Sequence, residues 1–237
     1  MTVDASRELW VERLGLTPYT EALELQRRLA HARIAGDVDQ DVLLLVEHPP
    51  VVTLGRSAKE KHLLASPDLL RARGVELHEL ERGGDVTFHG PGQLVGYPII
   101  DLKRHKQDLH WYLRRVEEAL IRALAAIGII AERQDGYTGV WTSAGGRKIA
   151  SIGVHARDWV TWHGFALNVS TDLSFFDLVV PCGIRGVTMT SVARELGHAN
   201  VQWQAVEDAV VAAFGDVFRL VPSAFPDRLR QHRAAHA

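Results

Sequence analysis

The sequence is short of cysteine and of long apolar runs, and each shortage excludes a class of protein. One cysteine, Cys182, occurs among 237 residues, which excludes an internal disulfide framework and metal or iron–sulfur sites built from several cysteines. Uncharged stretches such as residues 136–146 are short and rich in glycine and serine, so no segment is expected to cross a membrane. The first fifteen residues carry several charges and no export signal, and we expect a cytoplasmic protein.

Charge of one sign is lacking as well. The chain has 27 Lys and Arg against 29 Asp and Glu, a formal charge of −2, which argues against a strongly basic nucleic-acid binder. Neither G-x4-G-K-[ST] nor G-x-G-x-x-G occurs, so the usual nucleotide phosphate loops are absent. The twelve histidines show no H-E-x-x-H spacing, and a histidine-based metal hydrolase has little support.

Apolar patterning predicts short strands interleaved with a few helices. Helical periodicity marks residues 19–34, 107–127 and 202–218, and strand-like runs fill much of the region from residue 42 to residue 169. We therefore expect an α/β (α+β) fold in which a mixed sheet is flanked by helices. Residues 1–220 form a single predicted domain, in which a small lobe could begin near residue 187, and residues 221–237 are predicted to be a flexible tail.

A glycine-rich segment from Arg82 to Tyr97 is the densest group of chemically useful residues. Glycines at 83, 84, 90 and 92 alternate with arginine, threonine, histidine and glutamine. Glycine lets backbone N–H groups approach a ligand closely, and arginine and histidine supply donors. A plain β-hairpin with loop glycines explains the same composition equally well.

Two further segments could carry chemistry. Lys148, the only lysine after Lys106, enters the apolar run Ile149–Val154, where an unpartnered ammonium would be costly to bury. It either keeps its amine in water or is a desolvated lysine with a lowered pKa, a role that arginine cannot fill. Cys182 lies between Pro181 and Gly183 after an apolar run. It is either an inert buried thiol or a nucleophile whose thiolate a neighbouring cation stabilises.

Together these segments resemble the lipoyl(octanoyl) transferase family. The pattern R-G-G-x-x-T-F-H-x-x-G-Q-x-x-x-Y from Arg82 to Tyr97 matches the family signature without a mismatch. The segments around Lys148, Trp162–Asn168 and Pro181–Ile184 follow in the family's order. The resemblance covers about residues 15–220.

The resemblance implies the fold of the biotin and lipoate protein ligases, with a small C-terminal lobe. It implies transfer of an octanoyl group from octanoyl-acyl carrier protein to a lysine of a lipoyl domain, in 2-oxoacid dehydrogenase complexes or in the glycine cleavage H protein. Cys182 matches the acyl-thioester nucleophile and Lys148 the lysine that lowers its pKa. No cofactor, metal, nucleic acid or membrane is implied. The residues that match the substrate-binding stretches are Arg82, Gly83, Gly84, Asp85, Val86, Thr87, Phe88, His89, Ser151, Ile152, Gly153, Gly164, Phe165 and Ala166.

Transfer between thioesters is nearly isoenergetic and amide formation is downhill, so the reaction needs no ATP. Candidate donors for the tetrahedral oxyanion are the backbone amides of residues 151–153 and Gly183, together with His89. The basic run Lys103–Lys106 is either a docking surface for an acidic carrier protein or simply solvated.

Two alternatives remain open. An ATP-dependent lipoate- or biotin-protein ligase would share the fold without needing a cysteine. A non-catalytic protein that binds acylated domains would need neither Cys182 nor Lys148.

Overall fold

The computed structural model describes residues 7–184, 186–197 and 200–230. Within these residues the strands are β1 (Glu8–Leu16), β2 (Asp41–Glu47), β3 (Val51–Leu54), β4 (Glu76–Glu79), β5 (Val86–His89), β6 (Gln93–Ile99), β7 (Ala131–Glu132), β8 (Val140–Thr142), β9 (Arg147–Arg157), β10 (Val160–Asn168) and β11 (Val221–Ala224). The α-helices are α1 (Tyr19–Ala35), α2 (Pro67–Ala72), α3 (Leu109–Ala126), α4 (Val192–Leu196), α5 (Trp203–Phe218) and α6 (Asp227–Arg230).

Most of the strands form one mixed sheet in the order β11-β1-β2-β6-β10-β9-β8-β7. β1 runs parallel to both β2 and β11, and the other pairs are antiparallel. β10 lies between β6 and β9, which places Phe165 beside Gly96 on one side and Ile152 on the other. This architecture confirms the predicted mixed sheet flanked by helices.

Helices cover both faces of the large sheet. The amphipathic helix α3 is capped by Asp108, whose side chain accepts a hydrogen bond from Trp111 N. It packs with α5 on one face, where Tyr112, Leu120 and Phe214 are fully buried. The α1 helix covers the other face and ends at Gly36, which has φ +88°.

A second sheet, in the order β4-β3-β5, lies beside the first. β3 pairs parallel with β4 and antiparallel with β5. Its own apolar cluster includes Val52, Val86 and Phe88, and the ring of Phe88 stacks on Phe175 with 4.7 Å between centroids. The loops of this small sheet face the large sheet and form one side of the candidate site.

The terminal segments differ from the sequence predictions. β1 and β11, for which no strands were predicted, pair from Glu8–Val221 to Val11–Ala224. Val192, Val206 and Phe214, all within the predicted small lobe, belong to the main core cluster around α3, so α4 and α5 share that core. Residues 221–230 of the predicted tail form β11 and α6, and residues 231–237 lie outside the described residues. Among the described residues, no helix combines the length and apolar character that a bilayer crossing requires.

Candidate active site

A cavity of about 550 Å³ lies between the large sheet and the loops of the small sheet. Its volume is in the range usual for small-ligand pockets. Residues from both sheets, from the N-terminus of α1 and from the Cys182 turn line it. They are Tyr19, Arg82, Gly84, Asp85, Thr87, His89, Val95, Tyr97, Gly136, Tyr137, Thr138, Ser151, Ile152, Gly153, His163, Gly164, Phe165, Ala166, Cys182, Gly183 and Ile184.

We call Ser151, Gly153, Gly164 and Ala166 the floor of this cavity. Ser151 lies opposite Ala166 and Gly153 opposite Gly164 across the β9–β10 pair. Residues two apart on a strand share a face, so these four small residues form a two-by-two patch on one face. Space above the floor exists because none of its side chains is larger than that of serine. A methyl group at Gly153 would lie 2.8 Å from Gly83 O, so the floor also requires glycine where the Arg82–Asp85 loop approaches.

The opposing loop, Arg82–Asp85, is fixed to the small sheet. Arg82 is 6% exposed, and its guanidinium donates to the Thr53 carbonyl oxygen at 2.7 Å and to Thr53 Oγ1 at 2.9 Å. Gly83 N donates to Val154 O at 2.8 Å, which joins the loop to β9. The first two residues of the loop are therefore fixed, Arg82 to the small sheet and Gly83 to β9.

Strand β5 presents its residues alternately to the cavity and to the apolar cluster beneath. Thr87 and His89 line the cavity, whereas Val86 and Phe88 point into the core of the small sheet. Four predicted site residues thus lie outside the lining: Val86 and Phe88, Gly83, and Lys148. Period-two alternation places Val86 and Phe88 behind the wall that Thr87 and His89 form.

Cys182 lies on a one-turn segment, Pro181–Gly183, at the cavity. Its backbone is left-handed, with φ +55° and ψ +19°, and Gly183 follows with φ +68°. Left-handed geometry is unfavourable for a residue with a Cβ atom. The half-buried thiol contacts Ser151 Oγ at 3.5 Å. The turn therefore brings the sulfur to the floor.

Lys148 reaches the cavity side of β9 through a β-bulge. Trp141 pairs with Lys148 but Val140 pairs with Ala150, so Ile149 is an extra residue. Ile149 and Ala150 both belong to the core cluster around α3. Lys148 and Ser151 consequently lie on the same face although they are three residues apart, which an unbroken strand would forbid.

The amine of Lys148 is fully buried. Nζ donates to Thr138 O at 3.2 Å and lies 4.5 Å from the centroid of the Trp141 ring. The described residues place no carboxylate in an ion pair with it, and its hydrogen bond goes to Thr138 rather than to Cys182. Thr138 itself lines the cavity, so the amine lies directly behind the wall. A buried amine with one carbonyl partner is costly, which favours a functional reason for it.

Histidine and tyrosine side chains form a buried polar group at the cavity. His48 Nδ1 donates to Thr17 O and His48 Nε2 accepts from Tyr97 Oη, both at 2.7 Å. Burial lowers the pKa of His48 to about 4 and that of His89 to about 3. Burial also raises the pKa of Tyr97 above its usual value. All three side chains are therefore neutral at pH 7.

The hydrogen bonds of His89 determine its tautomer. Gln93 Nε2 donates to Phe88 O and Asn168 Oδ1, so Gln93 Oε1 must accept from His89 Nδ1 at 2.7 Å. Neutral His89 consequently carries a lone pair on Nε2. The expectation that His89 donates to an oxyanion is wrong for this tautomer, and the backbone amide of Gly183 is also occupied, by Val180 O.

Several lining residues were not predicted from the sequence. Tyr97 and His163 lie inside recognised motif segments, which is a usable signal. His163 is buried, has φ +55° and sends its backbone N–H to Gln26 Oε1. Tyr19 and Gly136–Thr138 come from distant segments that only the fold brings together. No trio of His, Cys, Asp and Glu side chains in the described part of the chain is arranged to hold a metal ion.

Comparison with known proteins identifies the family. The family model for the lipoyl protein ligase A/B catalytic domain matches residues 18–215. An octanoyltransferase of Gloeobacter violaceus is 52% identical over 204 residues, covering 86% of this chain and 87% of that protein. An octanoyltransferase of Rubrobacter xylanophilus is 53% identical over 205 residues, covering 86% of this chain and 90% of that protein.

Solved structures agree on the fold. A lipoate-protein ligase A bound with ATP superimposes with a TM-score of 0.77 at 16% identity, over 96% of this chain and 92% of that one. A lipoate protein ligase from T. acidophilum gives 0.71 at 18% identity, again over 96% and 92%. The resemblance drawn from the sequence motifs is confirmed: the chain belongs to the lipoyl protein ligase A/B catalytic-domain family, in its octanoyltransferase branch.

Proposed function

We propose that this chain transfers an octanoyl group from an acyl carrier protein to a lysine of a lipoyl domain through a thioester on Cys182. As a member of the octanoyltransferases it is an acyltransferase that acts in protein lipoylation. The proposal adds the covalent intermediate and the role of each residue. The contact between Cys182 Sγ and Ser151 Oγ above the floor carries it, because it places a thiol where an acyl chain can lie.

The floor accommodates the acyl chain. Two strand residues, from Ser151 to Gly153, span roughly 7 Å, and the cavity continues to Tyr97 and His163 beside Gly164. Burial of about seven carbons beyond the carbonyl at about 0.8 kcal/mol each supplies roughly 5–6 kcal/mol. The side chains of Tyr97 and His163 at the far end are neutral at pH 7, so they present no charge to the chain.

In the first half-reaction the Cys182 thiolate attacks the thioester carbonyl. The new carbon–sulfur bond forms as the bond to the carrier thiol breaks, and the carrier leaves as a thiol after taking up one proton. Lys148 accepts the Cys182 proton and can supply it to the leaving sulfur. Arg82 adds a second positive charge: burial lowers the pKa of its guanidinium, and attraction to Cys182 and Asp85 acts in the opposite direction.

In the second half-reaction a neutral lysine amine attacks the octanoyl-Cys182 thioester. The amide bond forms, Cys182 leaves as a thiolate, and the amine loses one proton, for which Lys148 is the acceptor. The acceptors we propose are lipoyl domains of 2-oxoacid dehydrogenase complexes and the glycine cleavage H protein. ATP takes no part in either step.

Intact-protein mass spectrometry tests this proposal. Incubation with octanoyl-acyl carrier protein, without ATP, should add one octanoyl group to the parent chain and none to Cys182→Ser. When a lipoyl domain is then added, the octanoyl group should disappear from the parent chain and appear on the lipoyl domain. Cys182→Ser keeps the size of the side chain, so lost binding is separated from lost chemistry. Binding without an adduct would favour the non-catalytic protein, and an ATP requirement would favour the ligase.

A further inference from the structure

The Cys182 turn combines two left-handed residues in succession, and one of them has a side chain. Cys182 has φ +55° and Gly183 φ +68°. Such a conformation persists only where its surroundings impose it. Within the turn, Gly183 N donates to Val180 O and Ile184 N to Pro181 O. These two bonds close the turn but do not fix it relative to the cavity.

The segment around His62 holds the turn from outside. Val180 N donates to His62 O at 2.7 Å, and Leu63 forms a β-bridge with Val179. Leu64 N and Ala65 N both donate to Leu178 O. Residues 62–65 therefore run beside residues 178–180 and lead directly to Cys182.

The side chain of His62 forms a buried pair with Asp85 against this turn. His62 Nδ1 donates to Asp85 Oδ2 at 2.7 Å, and the two side chains are 9% and 10% exposed. Asp85 Oδ1 accepts from Val86 N at 2.8 Å, which fixes the carboxylate at the start of β5. A methyl group at Gly183 would lie 2.6 Å from Asp85 Oδ2 and 3.1 Å from His62 Nδ1. The pair thus packs on the Cα atom of Gly183.

We propose that the His62–Asp85 pair positions Cys182 for acyl transfer by holding the left-handed turn against the floor. The inference rests on the proposed role of Cys182 as the nucleophile. His62 does not line the cavity in the part of the chain that the structure describes, so it acts through the turn. Asp85 connects the pair to the same glycine-rich loop that carries Arg82, and a shift of the pair would move the sulfur away from Ser151.

The chain offers a matched control. His105 Nε2 donates to Asp41 Oδ2, also at 2.7 Å, and these side chains are 4% and 3% exposed. Neither residue lines the cavity. Loss of either histidine leaves a buried carboxylate without one partner, so both replacements should lower thermal stability. Only the loss of His62 should displace Cys182 and slow its acylation.

The experiment measures the rate constant for octanoyl-Cys182 formation in His62→Leu, His62→Asn and His105→Leu, together with thermal unfolding. Asparagine keeps an N–H donor near the position of Nδ1, whereas leucine removes it. Misplacement of a reacting atom costs up to 100-fold in rate, so we expect a fall of about 10- to 100-fold in His62→Leu and about threefold or less in His62→Asn and His105→Leu. The KM for octanoyl-acyl carrier protein should stay unchanged, because His62 does not touch the acyl chain.

Equal rates in His62→Leu and His105→Leu would overturn the inference, as would His62→Asn as slow as His62→Leu. If His62→Leu does not fold, Asp85→Ser takes its place, since serine is too short to reach His62, and the same slowing is expected. Absence of an adduct on the parent chain would instead overturn the proposed function. The two failures are therefore distinguishable.

Discussion

The two sheets meet at the cavity and contribute to it in different ways. The large sheet supplies regular, in-register backbone at the floor, where Gly153 and Gly164 provide space by lacking side chains. The small sheet supplies loops, with Arg82 in one of them and His62 beside the Cys182 turn. The one large-sheet residue with a proposed chemical role, Lys148, lies next to a bulge. Regular backbone thus provides the space, and reactive side chains occur where the backbone departs from regularity.

The largest expected effect comes from replacing Lys148, the reactive side chain beside the bulge in β9. Lys148→Met keeps the length and apolar stem of the side chain but removes the amine, and transfer to a lipoyl domain should fall about 10²- to 10⁴-fold in kcat/KM. Lys148→Arg should fall nearly as far, because arginine keeps the charge but does not release its proton. Steady-state transfer assays measure both.

Lys103→Met, which changes an exposed lysine, is the control for this prediction. In Lys148→Met, octanoyl-Cys182 formation should slow along with transfer to the lipoyl domain, and in Lys103→Met neither rate should change. Activity within threefold of the parent chain in Lys148→Met would contradict the role of the buried amine and leave Arg82 as the cation that acts on Cys182.

The second prediction concerns the stability of the folded chain at acidic pH. His48 and His89 are neutral in the folded chain, with pKa values of about 4 and about 3. Below pH about 6.5 the two histidines take up protons in the unfolded chain but not in the folded chain, so the free energy of unfolding decreases as the pH is lowered. Between pH 7 and pH 5 each histidine should lower the free energy of unfolding by about 2 kcal/mol. Above pH about 6.5 its contribution to that free energy no longer changes with pH. Urea unfolding at both pH values measures the loss.

His89→Gln should therefore lose about 2 kcal/mol less than the parent chain between pH 7 and pH 5. The exposed His31→Gln is its control and should match the parent. If His89→Gln loses as much stability on acidification as the parent, His89 is not the source of the acid sensitivity. His89 belongs to the small sheet and His48 to the turn that leads into it, so this acid sensitivity would belong to the small sheet rather than to the large one.

The third prediction addresses the point where the floor meets the opposing loop. Gly153→Ala places a methyl group 2.8 Å from Gly83 O and 3.4 Å from Arg82 Nη1. The loop must shift, which narrows the cavity, so we expect KM for octanoyl-acyl carrier protein to rise about tenfold and stability to fall by about 1–3 kcal/mol. Steady-state assays with octanoyl and butanoyl donors measure the change in KM, which should be smaller for the shorter butanoyl chain. An equal increase for both donors would show that the acyl chain does not pass over Gly153.

The motif residues could be recognised in the sequence because their spacing is local. Alternation in β5 follows from the order of residues 86–89, and the apolar face of α3 follows from its periodicity. The bulge at Ile149 could not be predicted, because it arises from pairing with Trp141 and Val140. The His62–Asp85 pair and the placement of Tyr19 likewise depend on contacts between distant segments. Site residues in irregular backbone were thus recognised by motif resemblance, while their geometry required the fold.

The smallest expected effect concerns the basic run Lys103–Lys106, which lies beyond the end of β6 and outside the cavity lining. Lys103 Nζ lies 3.8 Å from Asp101 Oδ1 and Lys106 Nζ 2.9 Å from Asp108 Oδ2. Because these carboxylates already offset the lysines, Lys103→Glu combined with Lys106→Glu should raise KM for octanoyl-acyl carrier protein about twofold or less at low salt. Steady-state assays at several salt concentrations measure this. A tenfold increase that disappears with added salt would show instead that a carrier protein docks on the basic run, beyond the end of β6.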